Sequence, residues 1–258
     1  MESEWRKLRA DELRERAQAN AIVILPIGSL EQHGPHLPVE TDSLLGETIA
    51  TRLAADLVAH GEPALTLPML WTGISEHHMS FGGTISLDLA TFCSVVTGIC
   101  TAIVRHGFKR IVLLNSHGGN DNAMRSLTDD LSPRLGVPII QFTYWYAAAR
   151  PIAEILDTQD KLLHACEAET SMMMAVRPEK VAVDRIPLAA RNNEDSDEPM
   201  PDGVYRWRAI GSRARSGVIG NPHAASAAKG QRLFDAIVAH ASKELRDPAL
   251  WSTKWQMP

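Results

Sequence analysis

Hydrophobic residues occur along the chain in two patterns, short continuous runs and longer segments with helical spacing. Residues 21–28 (AIVILPIG) and 109–115 (KRIVLLN) each contain an uninterrupted apolar run rich in β-branched side chains. Such runs are typical of parallel strands that are covered on both faces. The runs at residues 63–70 and 137–146 predict two further strands.

Segments with apolar residues three or four positions apart lie between these runs and predict helices. They cover residues 41–61, 88–106, 120–135, 167–176 and 224–245, and the charged residues 1–20 predict an amphipathic helix before them. Strands that alternate with helices predict βαβ units, in which helices cover both faces of a parallel sheet. The expected fold is therefore α/β, a three-layer α/β/α sandwich around a mostly parallel sheet. No repeat or linker interrupts residues 1–258, so we expect a single domain.

The composition narrows the classes of partner. The 258 residues carry 26 Lys and Arg against 31 Asp and Glu, a net charge of −5, which disfavours nucleic acid or an anionic membrane as the main partner. No stretch approaches the roughly 20 apolar residues of a membrane-spanning helix. The charged N-terminus lacks the apolar core of a signal peptide, and three cysteines are too few for a disulfide framework. We expect a cytoplasmic protein that acts on a small molecule, with no nucleic-acid or membrane partner.

Polar clusters follow two of the predicted strands. In parallel α/β sheets, ligands bind beyond the carboxyl ends of the strands. Glu31 and His33 come after the first strand, two positions apart and so on one face of an extended segment. Asp42 opens the next helix, and His117 follows another strand. Carboxylates and imidazoles are ligands for Zn²⁺, Mn²⁺ and Fe²⁺. A lone histidine is usually structural, whereas two clusters at strand ends favour a metal site.

A third cluster, HACEAETS, contains His164, Glu167 and Glu169. His164 and Glu167 are three residues apart and would share a helix face. Glu169 would lie further around such a helix, so we expect His164 on the entering loop and both glutamates in the first turn. There they would also complement the helix dipole, which is the purely structural alternative.

Two other segments are candidates for binding. The Gly-rich loop after residue 70 carries the tripeptide Glu-His-His at residues 76–78, one of which could reach a pocket or be solvated. The polar segment 191–215 contains Trp207 and several arginines, and is expected to carry specificity, an inter-subunit contact or neither. No nucleophile elbow, P-loop or dinucleotide fingerprint occurs, which excludes those chemistries.

Four sequence blocks together resemble the creatininase (creatinine amidohydrolase) family. They are LPIGSLEQHGPHLPVETD, LLNSHGGND, HACEAETSMMMAVRP and GVIGNPHAASAAKG, and they span about residues 21–240. The resemblance implies an α/β/α fold, a divalent metal centre that is often dinuclear, and commonly a hexameric homo-oligomer. It also implies hydrolysis of a non-peptide C–N bond, frequently in a cyclic amide or a formamide.

The resemblance further implies roles for individual residues. By position, Glu31 and His117 look like ligands of one metal, His33 of the other, and Asp42 the bridge. His164 and Glu169 match residues near substrate and metal. One position departs from creatininase itself, which carries a second-metal glutamate where this chain has Gly119. Either Glu169 supplies the missing carboxylate or the second site is weak.

Substrate-binding positions also depart from creatininase. Only Trp145 is a candidate for the paired tryptophans that cover creatinine. Many relatives carry the Gly-Gly-Asn form found here, including proteins that deformylate a formamidopyrimidine nucleotide or trim the mycofactocin precursor peptide. Creatinine is therefore not the expected substrate.

The predicted mechanism is attack of a metal-activated water on an amide or formamide carbonyl, with two divalent ions per chain (Zn, Mn or Fe). His164 is the predicted general acid because imidazole titrates near neutral pH. Glu167 or Glu169 is an alternative proton shuttle, and His36 is expected to orient a ligand carboxylate. The alternatives are cleavage of a peptide, opening of a ring bond in a cyclic polyol ketone, or a non-catalytic metal- or ligand-binding relative.

Overall fold

The strands form a parallel sheet whose carboxyl edge carries the predicted clusters. A computed structural model describes residues 1–189, 201 and 204–253. Within these residues the sheet has four strands in the order β2-β1-β3-β4, all parallel. In chain order, β1 is Ile22–Ile27, β2 is Ala64–Thr66, β3 is Arg110–Asn115 and β4 is Ile139–Thr143.

Eight α-helices connect and cover the strands in the described part of the chain. The helices predicted from the sequence end near the expected residues. Gly61 and Gly107, just after the helices that end at Ala59 and Arg105, have positive φ angles of 80° and 90°. These are the left-handed positions that stop a helix. The helices are α1 (Ala10–Gln18), α2 (Thr41–Ala59), α3 (Leu89–Arg105), α4 (Asp121–Leu135), α5 (Tyr144–Ala147), α6 (Ala149–Ala153), α7 (Glu167–Val176) and α8 (Ala227–Leu245).

Alternate residues of β1 face two separate hydrophobic cores. Ile22 and Ile24 belong to the core that includes residues of α2, α7 and α8. Val23, Leu25 and Ile27 belong to the core that includes residues of α3 and α4. Every residue of β1 is buried, as expected for a strand covered on both faces. The predicted three-layer α/β/α architecture is confirmed.

Three elements are shorter than predicted. The run 63–70 contains only the three-residue strand β2, since Pro68 has no N–H to donate to a sheet. The run 137–146 leaves the sheet after Thr143, where the chain turns into α5. The last helix begins at Ala227 because the Ser226 side chain caps it by accepting a hydrogen bond from the N–H of Lys229.

Three other predictions concern the N-terminal helix, the polar segment 191–215 and the absence of a membrane-spanning helix. The predicted N-terminal helix is α1, and the segment before it places the Trp5 ring 5.0 Å from the Phe108 ring. Of the polar segment 191–215, residues 191–200, 202 and 203 lie outside the described residues. Each helix in the described ranges is too short or too polar to cross a lipid bilayer.

Candidate metal centre

The carboxyl ends of β1 and β3 bring the predicted ligands together. Glu31 and His33 lie in the loop after β1, Asp42 in the first turn of α2 and His117 directly beyond β3. Glu169 joins them from the first turn of α7. All five side chains are buried, with at most 4% of each residue exposed.

Asp42 lies at the middle of this cluster. Its Oδ1 atom is 3.1 Å from His33 Nε2, and its Oδ2 atom is 3.0 Å from His117 Nδ1. Glu31 Oε2 is also 3.0 Å from His117 Nδ1, and Glu169 Oε2 is 3.9 Å from His33 Nε2. Two donor triads therefore share one carboxylate. They are Glu31, Asp42 and His117 on one side, and His33, Asp42 and Glu169 on the other, each with its donor atoms within 4.8 Å of one another.

Backbone carbonyl groups orient both imidazole rings. His33 Nδ1 is 3.1 Å from the Glu31 carbonyl oxygen, and His117 Nε2 is 3.0 Å from the Ile74 carbonyl oxygen. A carbonyl oxygen only accepts, so each of these ring nitrogens carries a proton and donates it. The other nitrogen of each ring faces Asp42, as expected for a metal-binding histidine that is held by an outer hydrogen bond.

Two serine hydroxyl groups hold the Glu31 carboxylate. Ser29 Oγ and Ser75 Oγ donate to Glu31 Oε2 over 2.9 and 2.8 Å. Neither serine was predicted from the sequence. Ser29 adjoins the Glu31 cluster, which is a local signal, whereas Ser75 comes from the Gly-rich loop and has no such signal.

The electrostatics of the cluster fit a cationic ligand. Burial raises the pKa of Glu169 to about 8, and the negative charge of Asp42 adds to this effect. Burial alone would lower the pKa of His33, but the charge and hydrogen bond of Asp42 outweigh it and raise this pKa to about 10. Burial likewise opposes ionisation of Asp42, yet His33 and His117 lower its pKa.

Glu31 and His117 form a similar pair. Burial would raise the pKa of Glu31, but the His117 charge opposes it and the pKa is lowered. The pKa of His117 is raised well above its usual value because Glu31 and Asp42 overcome burial. Carboxylates this close together attract protons or metal cations. The oxygen and nitrogen donors are those that zinc, manganese and iron accept, so the residues fit divalent metals.

Two more imidazoles flank Glu31. His78 Nε2 is 3.1 Å from Glu31 Oε1, and His164 Nδ1 is 3.7 Å from the same oxygen. Burial lowers the pKa of His164 to about 3, and the charge of His33 contributes. His164 lies on the predicted loop, next to the cluster. Of the tripeptide at residues 76–78, His78 is the residue that is buried.

The entry into α7 explains how His164 and Glu169 both reach the cluster. Ala165 adopts a positive φ of 51°, a conformation that costs a non-glycine residue free energy and is found at functional sites. Its backbone N–H donates to Glu169 Oε2 over 2.5 Å. The turn at Ala165 thus links the loop that carries His164 to the glutamate in the helix.

Glu167 does not join the cluster, contrary to its predicted catalytic role. Its carboxylate accepts hydrogen bonds from the backbone N–H groups of Asp157 (2.9 Å) and Thr158 (3.0 Å) and pairs with Lys229. The first-turn position of Glu167 in α7 is as expected, but these contacts hold its carboxylate outside the cluster. Glu167 therefore braces a loop and α8 against α7.

His36 also differs from its predicted role. Its Nε2 atom is 2.8 Å from Thr170 Oγ1, and it does not contact a carboxylate of the cluster. His36 instead connects the loop after β1 to α7. Burial lowers its pKa to about 4, so it is a neutral structural residue at neutral pH.

Gly119 occupies a position where no side chain fits. A Cβ atom there would lie 2.1 Å from the Ile74 carbonyl oxygen and 2.4 Å from His117 Nε2. The site therefore excludes a glutamate at residue 119 unless the loop moves. Glu169 Oε2 lies 3.9 Å from His33 Nε2, so a second carboxylate near His33 is available from Glu169.

A cavity of about 680 Å³ lies above the cluster. Trp145 and Tyr146 line it from the β4 side, and Asp121 lines it from the start of α4. An arm of residues 204–213 supplies two aromatic rings and three arginines to the lining: Tyr205, Trp207, Arg206, Arg208 and Arg213. The base of this arm is anchored where Ile210 and Ala214 pack with Ile219.

The fold and the site define a parallel α/β protein with a buried carboxylate–imidazole cluster, whose donors suit divalent metals, at the carboxyl edge of its sheet. The chain belongs to the creatininase family of hydrolases, because the family model described as creatinine amidohydrolase matches residues 6–245.

Relatives within this family have different activities. The chain is 31% identical to the mycofactocin precursor peptide peptidase of Mycobacterium ulcerans over 225 residues, or 84% of this chain and 81% of that protein. It is also 31% identical to the creatinine amidohydrolase of Pseudomonas putida over 188 residues, 66% of this chain and 70% of that protein. A solved manganese form of creatininase superposes with a TM-score of 0.80 at 25% identity, covering 96% of this chain and 99% of that one.

Proposed function

We propose that this protein is a metal-dependent amidohydrolase that cleaves a C–N bond of a substrate held in the 680 Å³ cavity. The observation that carries the proposal is the position of Asp42. Its two oxygens face His33 and His117 at 3.1 and 3.0 Å, so one buried carboxylate serves two adjacent donor triads. This is the arrangement needed for two cations that share a bridging ligand.

The chain's own residues would hold and orient the cations. Glu31, Asp42 and His117 would bind one metal, and His33, Asp42 and Glu169 the other. When bound, two zinc, manganese or iron ions would lower the pKa of water towards neutrality and stabilise negative charge on the substrate carbonyl oxygen. The carbonyl groups of Glu31 and Ile74 keep the histidine nitrogens aimed at these positions.

His164 is the residue we propose for proton transfer. Its Nδ1 atom faces Glu31 Oε1, and the side chain lines the cavity. His164 would accept a proton at Nδ1 as the attacking water loses it, and would then donate that proton to the leaving nitrogen as the C–N bond breaks. His164 does not titrate near neutral pH, the property on which its predicted role as general acid rests, because burial lowers its pKa to about 3. The ring is therefore neutral before the attack, and the predicted general acid acts first as a base. Glu169 is the alternative shuttle.

Two classes of amide substrate fit the cavity. A cyclic amide or a formamide is the expectation from the sequence. The volume of about 680 Å³ lies within the range of cavities that bind drug-sized ligands, larger than a single small ring needs. Aromatic and arginine side chains of the arm suit a longer substrate such as a short peptide. Peptide hydrolysis is therefore a second candidate, and the 31% identity to a peptide peptidase supports it.

Metal analysis and a substrate screen test the proposal together. Purified protein would be analysed for bound metal, then stripped with a chelator and reloaded with zinc, manganese or iron. Each form would be assayed on formamides, cyclic amides, short peptides and cyclic polyol ketones. We expect about two metals per chain and chelator-sensitive hydrolysis of an amide class. Activity that survives complete metal removal would contradict the proposal. Hydrolysis of none of these compounds by the loaded protein would favour a non-catalytic relative.

A matched pair of variants tests the bridge. Asp42→Asn should remove both metals and the activity. Asp121→Asn is the control, because Asp121 lines the same cavity but is bonded to Gln141, Thr143 and Arg125. We expect the control to retain its metals. Loss of only one metal in Asp42→Asn would disprove the bridging role.

A further inference from the structure

Gln32 stands between Glu31 and His33 in the sequence, and its side chain is buried in a fixed set of contacts. Its Oε1 atom accepts a hydrogen bond from the backbone N–H of Gly34 over 2.9 Å. Its Nε2 atom donates to the Gly217 carbonyl oxygen over 3.1 Å. Because an N–H only donates and a carbonyl oxygen only accepts, these two contacts determine which end of the amide is nitrogen.

Gly217 allows the close approach of this amide. Its φ angle is +76°, and a Cβ atom at this residue would lie 2.0 Å from Gln32 Oε1. A residue with a side chain would therefore meet both backbone strain and a clash. The loop closes over the Gln32 side chain because residue 217 is glycine.

The amide nitrogen of Gln32 determines the protonation of His78. The –NH₂ group has two hydrogens, and one of them goes to the Gly217 carbonyl oxygen. The other points to His78 Nδ1, 2.9 Å away, which must accept it and so carries no proton. His78 therefore has its proton on Nε2, which is 3.1 Å from Glu31 Oε1 and donates to it.

The backbone of Gln32 determines the orientation of His164. His164 Nε2 is 2.9 Å from the Gln32 carbonyl oxygen and 3.0 Å from Gln32 Nε2. Both amide hydrogens are already used, so His164 Nε2 carries the proton and donates it to the carbonyl oxygen. The distance of 3.7 Å from His164 Nδ1 to Glu31 Oε1 is too long for a hydrogen bond. Nδ1 therefore presents a lone pair.

We propose that Gln32 is a positioning residue that gives opposite roles to the two imidazoles beside Glu31. His78 presents an N–H to Oε1 of Glu31. The other oxygen of Glu31, Oε2, then faces His117, with which Glu31 and Asp42 form one donor triad. His164 presents an unprotonated Nδ1 that accepts a proton. The proton-accepting role of His164 rests on the proposed function, whereas the two protonation patterns follow from the contacts alone.

Nitrogen spectroscopy of the histidine rings tests the patterns directly. Zinc-loaded protein with ¹⁵N-labelled histidine would be studied by long-range proton–nitrogen correlation, with signals assigned through single histidine replacements. We expect the proton on Nε2 in both His78 and His164. A proton on Nδ1 of His78 would overturn the proposal, and this result needs no variant of Gln32.

Gln32→Met removes the amide at similar length and tests the link between the residues. We expect a detectable share of the Nδ1-protonated form of His78, because only the contact of Nε2 with Glu31 Oε1 then favours the Nε2-protonated form. Gln159→Met is the matched control, because the Gln159 amide also joins two backbone groups, Asn221 N and Lys161 O, at 3.2 and 2.6 Å. It should leave both rings unchanged. Gln32→Glu keeps the shape but replaces the donor with an acceptor 2.9 Å from His78 Nδ1, so it should favour a proton on Nδ1.

Kinetics distinguish positioning from a purely structural role. On a substrate found in the screen, Gln32→Met should lower kcat roughly 10–100-fold, the range for residues that orient a metal site. Zinc content and KM should stay close to those of the unmodified protein. Loss of zinc with unchanged ring protonation would mean that Gln32 only supports the loop, and would refute the proposal. Failure of every substrate would count against the proposed function, while the spectra would still decide the role of Gln32.

Discussion

Replacing Gly119 by alanine tests whether the orientation of His117 controls metal binding. The new methyl group would lie 2.1 Å from the Ile74 carbonyl oxygen and 2.4 Å from His117 Nε2. These two atoms form the 3.0 Å hydrogen bond that holds the His117 ring. Since neither backbone nor ring is the flexible end of a long side chain, the bond must lengthen or break.

The expected loss follows from the role of that bond. Removing a group that orients a metal-bound histidine lowers metal affinity roughly 10–100-fold, which is about 1.4–2.8 kcal/mol. Forcing an extra carbon into packed surroundings costs a further ~1–3 kcal/mol of folding free energy. Gly119→Ala should therefore bind zinc more weakly and unfold at a lower urea concentration than the unmodified protein.

Gly118→Ala is the matched control. Gly118 belongs to the same short 3₁₀ turn, Gly118–Asn120, but a Cβ atom at residue 118 has no neighbour within 4 Å. Zinc affinity would be measured by competition with a chromophoric chelator, and stability by urea unfolding of the metal-free proteins. If the two variants bound zinc equally well, the Ile74 carbonyl would not control His117 and the reasoning would be refuted.

Three other perturbations have expected outcomes. Glu167→Gln removes the charge that pairs with Lys229, and because Lys229 keeps its 2.9 Å contact with Asp157 the cost should be about 1.5–3 kcal/mol in urea unfolding, with kcat of the folded enzyme unchanged; a selective loss of kcat would restore the catalytic assignment. In Gly230→Ala the new Cβ would lie 1.9 Å from the Ser171 carbonyl oxygen, so the close packing of α8 on α7 should loosen and thermal unfolding should shift to lower temperature. Zinc at 100 times the Kd of each site should stabilise the protein by about 2.7 kcal/mol per site; the same gain in Asp42→Asn at the same zinc concentration would argue against a ligand role.

The features predicted correctly depend on local pattern. The apolar run of β1 predicts a strand buried on both faces, because each successive side chain meets one of two cores. Helix ends were predictable where glycine takes a left-handed conformation, as Gly61 and Gly107 do. The proximity of Glu31 to His117 was also predictable, since the carboxyl ends of parallel strands share one edge of the sheet.

The features that were missed or wrongly predicted depend on contacts between distant segments. His164 lies on the loop that enters α7 and Glu167 lies in its first turn, as expected, but the Glu167 carboxylate pairs with Lys229 and not with the cluster. Lys229, the partner of Glu167, lies 62 residues further along the chain. No periodicity within a short window reports such a pairing, so the structural role of Glu167 was not predictable.

The Gly-rich loop shows how distant contacts complete the site. An isolated bridge between Leu30 and Ile85 docks this loop beside the end of β1, and a second bridge joins Gly73 to Ser86 within the loop. From that position it supplies the Ile74 carbonyl, the Ser75 hydroxyl and the His78 ring to ligands that come from other elements. The strands thus determine which residues meet, whereas the loop determines how they are oriented. Orientation of metal ligands contributes as directly to affinity as their identity does. Sequence changes in residues 71–87 should therefore alter metal binding even where all five proposed ligand residues are kept.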